Sequence, residues 1–146
     1  MIVYLDSSVL ARVYLADEDG HEESVALLAN ADVVPVTGTL TRIEVSGALI
    51  RAARSGRIDP RGLLELLDAD LAPGGPVTVL GAAQAEVEES ALGLVREHGI
   101  RALDAWHLAV AQLTLPRLAE SGEELAFASR DAAQAAVAKL LGFERI

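Results

Sequence analysis

The sequence predicts an α/β fold, a three-layer α/β/α sandwich around a mainly parallel central sheet, and two observations carry that reading. Short runs rich in Val, Ile and Leu alternate with longer Ala- and Leu-rich stretches of helical period, the pattern of strands joined by helical crossovers. The chain has 146 residues, the length of one ordinary domain and enough to bury a substantial core. Residues 1–146 are therefore read as a single domain. An apolar content of 51% and a mean hydropathy of +0.32 argue against disorder, and no apolar stretch reaches the roughly 20 residues of a membrane-spanning helix.

Taken in order, Ile2 to Leu5 is an unbroken apolar run and forms the first strand. The opening MIVYLDSS has neither a basic segment nor a small-residue cleavage site, so it reads as core strand and not as a signal peptide. Helices follow near Ser8 to Leu15 and Glu22 to Ala29, and then a second strand at Val33 to Val36. The helical stretch Thr41 to Ser55 stops at Gly56. Asp59 before Pro60 suits a side-chain cap with Pro at the first helical position, opening a helix to Asp70. The segment AlaProGlyGlyPro at 72–76 is a turn, too short to link domains, and it leads into a third strand at Val77 to Leu80. Ala82 to His98 and Leu103 to Leu115 are helical, Leu125 to Ala128 is the fourth strand, and Ala132 to Leu141 is the last helix. A terminal strand is placed near Phe143 to Ile146. Gly56, Gly99 and Gly142 each follow a helical run, where a left-handed terminating residue is often needed. The chain has no internal repeats and no low-complexity tail.

Composition narrows the function. With no Cys, disulfides and thiolate metal sites are excluded, and a cytoplasmic location is expected. A net charge of −10 opposes tight nonspecific binding to phosphate backbones, which draws on surplus Lys and Arg. The one local excess of positive charge is Arg51, Arg54, Arg57 and Arg61, since Lys139 is the only lysine. That run reads either as a solvated helix end complementing the dipole or as an RNA-phosphate contact led by Arg51 and Arg54. Aromatics make up 3% of the chain, too few for extended base stacking.

Four carboxylates stand where predicted elements meet loops: Asp6 ends the first strand, Glu44 opens a helix, Asp104 lies in RALDAWHLAVA and Asp131 follows the fourth strand. Ligands in open α/β sheets bind beyond the carboxyl ends of strands, where Asp6 and Asp131 fall. Either could instead simply cap the helix that follows. Glu44 and Asp104 sit in apolar surroundings and need partners there, unless each lies on a polar stripe or Asp104 caps its own helix. Carboxylates gathered in one cleft repel each other unless a cation neutralises them. Oxygen-only ligands select hard cations, so Mg²⁺ or Mn²⁺ is expected. His107, three residues after Asp104, is read as a packed, hydrogen-bonded residue. Trp106 is read as a core or interface anchor, and His21 and His98 as surface residues.

LDSSV near the start, a Glu inside a helix after the second strand, LDAWHLAVA, and ASRD near the end together resemble the PIN-domain family, and most closely its VapC-type toxins. The resemblance spans nearly the whole chain. It implies that Asp6, Glu44, Asp104 and Asp131 form the catalytic and metal-binding set, with Ser8 and Ser129 as polar supports. Ser129 stands where Thr is commoner, and the fourth acidic position varies within the family. The implied activity is metal-dependent endoribonuclease, with RNA as substrate, a cognate VapB-like antitoxin as partner and a homodimer as assembly. A haloacid-dehalogenase-like phosphatase would need an Asp at position 8, which is Ser. A phosphoacceptor receiver domain would need an acidic pair near the first strand, and Asp6 has no acidic neighbour. A PIN-like RNA- or protein-binding module without catalysis is the remaining alternative.

Overall fold

A computed structural model describes every residue from Met1 to Ile146. The elements run β1 (Ile2–Leu5), α1 (Ser7–Tyr14), α2 (His21–Ala29), β2 (Val34–Gly38), α3 (Thr41–Arg54), α4 (Pro60–Asp70), β3 (Thr78–Leu80), α5 (Gln84–His98), α6 (Ala102–Leu118), β4 (Leu125–Ala128), α7 (Ala132–Leu140) and β5 (Glu144–Arg145). The five strands form one sheet in the order β3-β2-β1-β4-β5, and every pairing is parallel. The predicted sandwich is thus observed.

Alternation along the central strands explains the three layers. Tyr4 and Phe127 turn toward a core built with Val87, Leu94, Leu108 and Val137 from α5, α6 and α7. Val3, Leu5, Ala126 and Ala128 turn the other way, onto Val9, Leu10, Val45, Leu49 and Leu67 from α1, α3 and α4. A strand covered on both faces has no polar side to present, which is why β1 is apolar at all four positions. Asp59 caps α4 with Pro60 in its first turn, and Gly99 ends α5 in the left-handed conformation, both as the sequence predicts.

Three of the boundaries that differ from expectation have a visible local cause. The first helix begins at Ser7 because Asp6 itself is the cap. β2 runs on to Gly38 and contains Pro35. The Val34 N–H bonds to the Met1 carbonyl at 2.9 Å, so Pro35 turns its missing N–H to the other side, where pairing with β3 starts only at Val36. The sixth helix continues past Pro116 to Leu118; the carbonyl that the ring leaves without its helical donor belongs to Gln112, an exposed residue. No helix is long and apolar enough to cross a membrane.

The chain passes from β1 to β2 on one side while β4 lies on the other, so the carboxyl end of β1 is a topological switch point, where open α/β sheets leave a crevice.

Candidate active site

Asp6 is the first residue beyond β1. Its N–H prolongs the ladder to the Ala128 carbonyl at 3.0 Å, which holds its Cα rigidly at the sheet edge. The side chain is 6% exposed, so each oxygen needs a donor. Oδ2 accepts the Ser8 N–H at 3.0 Å, capping α1, and Oδ1 accepts the Gln134 side-chain amide at 3.3 Å. Asp131 caps α7, its Oδ1 accepting from the N–H groups of Ala133 and Gln134 at 2.8 and 3.0 Å. Both caps that the sequence offered as the plain reading are therefore present, and Asp131 keeps Oδ2 for another partner.

Asp104 lies in the first turn of α6, whose cap is Arg101, so it does not cap its own helix. Burial pushes its carboxyl pKa up, repulsion from Asp131 and Asp6 adds to this, and Arg101 and His107 oppose it. Three of the four carboxylates thus share one electrostatic neighbourhood.

Glu44 joins from α3. Its Oε2 accepts the Ser7 hydroxyl at 2.5 Å and lies 2.6 Å from His107 Nε2. Burial raises the Glu44 pKa, but the hydrogen bonds from His107 and Ser7 and the attraction of His107 outweigh it and leave the pKa below the ordinary glutamate value. His107 Nε2 is also 3.8 Å from Asp6 Oδ1, so the ring stands between two carboxylates. A carboxylate can only accept, so Nε2 carries the proton. Nδ1 meets the Tyr4 hydroxyl at 2.9 Å. Burial, then Asp6 and Glu44, hold the Tyr4 pKa well above its usual value, which keeps that hydroxyl protonated. His107 is 1% exposed and is packed and hydrogen-bonded, as read from the sequence.

The hydroxyls divide differently from expectation. Ser129 Oγ donates to Gln134 Oε1 at 2.5 Å and accepts the Asp131 N–H at 3.0 Å. Ser8 gives Asp6 only its backbone N–H, and its hydroxyl accepts the Arg130 N–H at 3.1 Å. The hydroxyl that reaches a carboxylate is that of Ser7. Neighbouring residues of α1 lie about 100° apart around its axis, so Ser7 reaches Glu44 on α3 while Ser8 turns to Arg130.

The arginines also separate. Arg51 lines a pocket of about 260 Å³ with Ser7, Ser8, Arg12 and Glu44. Arg54 is exposed further along α3 and does not border it. Arg57 is held by Asp17 at 2.6 and 2.7 Å and by Glu18 at 2.8 Å.

In this conformation no three acidic or histidine side chains converge tightly enough to hold a metal ion. The donor set nevertheless fits a hard divalent cation. It is carboxylate oxygen throughout, and the raised Asp104 pKa is the crowding that a cation relieves.

A family model described as the PIN domain matches residues 3–126, most of the chain. The chain belongs to the PIN-domain family. No curated protein matches this PIN domain. Among solved structures it is similar to VapC20 of Mycobacterium tuberculosis, titled a sarcin-ricin loop cleaving toxin, with a TM-score of 0.67 and 20% identity over 99% of this chain and 98% of that one. It is also similar to a toxin-antitoxin complex from Klebsiella pneumoniae, with a TM-score of 0.55 and 17% identity over 88% of this chain and 86% of that one. At these identities the likeness establishes the fold.

Two buried polar residues of the candidate site, Ser7 and Gln134, are not among the residues the sequence singles out as its supports. Gln134 left a visible signal, as the lone amide in AAQAAVA within an otherwise apolar stretch of α7.

Proposed function

We propose that this PIN domain is a Mg²⁺- or Mn²⁺-dependent endoribonuclease and the toxin of a VapBC-like toxin-antitoxin pair. The observation that carries the reading is the gathering of Asp6, Asp104 and Asp131 around Gln134 beyond the carboxyl ends of β1 and β4, with His107 between Asp6 and Glu44. Asp6, Glu44, Asp104 and Asp131 are the residues that would hold the cation. When bound, it would activate water and stabilise the leaving oxygen of a phosphodiester.

The chain's own side chains set the rest. Ser7 and His107 both bond to Oε2 of Glu44, which leaves Oε1 without a protein hydrogen bond. Arg51, beside Glu44 in the adjoining pocket, supplies the positive charge that a phosphate backbone requires, and Arg54 lies further out along the same RNA path. A net charge of −10 favours a basic partner, consistent with a VapB-like antitoxin. Family likeness adds a homodimer in the cytoplasm to the reading, and sedimentation of the purified protein tests the dimer.

The deciding experiment incubates protein freed of any partner with total bacterial RNA and Mn²⁺ or Mg²⁺, beside an EDTA control and the Asp6→Asn variant. Discrete fragments are expected, lost with EDTA and reduced at least about 100-fold in the variant, the scale of removing one group that stabilises developing charge. Full activity in a folded Asp6→Asn protein would remove Asp6 from the site. The absence of metal-dependent cleavage across the pool would favour a PIN-like binding module.

A further inference from the structure

We propose that Gln134 is a positioning residue of the acidic cleft, its buried amide tying β1, α6 and α7 together and so fixing where Asp6, Asp104 and Asp131 stand relative to one another. The inference rests on the nuclease reading above.

Gln134 is 0% exposed. An amide at such depth is costly unless every polar atom is satisfied, and here each one is. The side-chain nitrogen donates to Asp6 Oδ1 at 3.3 Å and to the Asp104 backbone carbonyl at 3.1 Å. Oε1 accepts the Ser129 hydroxyl at 2.5 Å. The backbone N–H donates to Asp131 Oδ1 at 3.0 Å. The orientation of the amide is fixed by chemistry: a carboxylate and a carbonyl can only accept, so the NH₂ group must face them, and the hydroxyl is left to the oxygen.

One side chain therefore touches the end of β1, the first turn of α6 and the residue after β4, while its backbone holds the cap of α7. Of the apolar remainder of α7, Val137 and Ala138 pack in the core shared with α5 and α6, and Ala135 is buried as well. Packing alone can seat the helix. The amide adds directional bonds that set the azimuth of the Asp6 carboxylate and the distance from α6 to the strand ends. Hydrogen bonds to ligating carboxylates have this role in metal sites, where their loss typically weakens metal affinity by 10-fold to 100-fold.

The test is Mn²⁺ binding by titration calorimetry to the native protein, Gln134→Met and Gln134→Glu, with melting curves and single-turnover RNA cleavage on the same samples. Methionine keeps the length and removes all three bonds. Glutamate keeps the shape but points a carboxylate oxygen at Asp6. Val137→Ala, a buried neighbour on α7, controls for destabilisation alone. The expected result is a Mn²⁺ Kd roughly 10-fold to 100-fold weaker in Gln134→Met, a lower single-turnover cleavage rate at saturation with half-saturation unchanged, and an unaltered Kd in Val137→Ala. If Gln134→Met does not fold, Gln134→Asn, which retains the amide but draws it back by one methylene, is measured in its place against the same criterion. A folded Gln134 variant that binds Mn²⁺ within about 2-fold of native overturns this inference alone, because the expected loss is roughly 10-fold or more. A native protein that binds no Mn²⁺ overturns it together with the nuclease reading.

Discussion

The hydroxyl of Tyr4 occupies the space that a side chain on Gly38 would need. The Tyr4 ring cannot retreat, since it stacks on Phe127 with centroids 5.2 Å apart and planes within 5°, and its hydroxyl is bonded to His107. Gly38→Ala is therefore expected to lower stability by about 1–3 kcal/mol, the usual cost of overfilling a packed interior. Tyr4→Phe in the same chain should recover part of the loss. Urea unfolding of the single and double variants checks this, and additive losses would show that the two residues do not meet. Asp104 carries a different signature. A carboxyl whose folded pKa lies above its unfolded one keeps its proton longer in the native state. Its contribution is nil below the ordinary aspartate range, turns unfavourable as pH rises through it, and stays so above the raised value. In EDTA, Asp104→Asn should raise the melting temperature by about 1–3 °C at pH 7 and leave it unchanged near pH 3. Glu44 behaves oppositely: its pKa is lowered, so its stabilisation is present above the ordinary glutamate range and is lost as pH falls through the lowered value.

Each helix that borders the cleft begins at the site, and the opening turns of two of them serve both folding and the proposed chemistry. Asp131 shows how the two roles can be separated. Asn caps a helix about as well as Asp, whereas Ala does not. Asp131→Asn should leave stability within about 0.5 kcal/mol of native while reducing cleavage, and Asp131→Ala should lose about 1 kcal/mol as well. Denaturant melts paired with the RNA assay distinguish these outcomes. Unchanged cleavage in Asp131→Asn would make the residue a cap and nothing more. At the far end of α6, Pro116 falls just past Leu115, the last buried residue of the helix, on a stretch from 116 to 118 that is exposed. Trp106 on the same helix packs against the core, in keeping with its reading as an anchor.

For the proposed action on RNA, an acidic molecule must localise its few free cations. Arg57 is committed to Asp17 and Glu18, and Arg12 to the Ser8 and Asp19 carbonyls and Glu18, which leaves Arg51 as the uncommitted guanidinium beside Glu44. Arg51→Ala should weaken RNA binding and flatten the dependence of log affinity on log salt by about 0.7, the value for one phosphate on a single strand. Arg54→Ala should do less of both. Fluorescence anisotropy over a salt series measures the two slopes, and equal losses would route the RNA across the end of α3 and not into the pocket.

What could be read from the chain alone was everything governed by neighbours in sequence. The apolar run of β1, the Asp59-Pro60 cap, the glycine stops and the alternation of strands with helices placed all twelve elements and the α/β/α layering, since period and capping are local properties. The same logic set Asp6 and Asp131 at strand ends. Three-dimensional packing alone settled the partners: Tyr4 with His107 across 103 residues, Gln134 with Asp6 across 128, Ser7 in place of Ser8, and Arg51 apart from Arg57. A hydrogen bond depends on where two side chains point to within a few tenths of an ångström. That direction follows from helix phase and sheet register, which only the assembled layers fix, because a shift of one residue turns a helical side chain by about 100°.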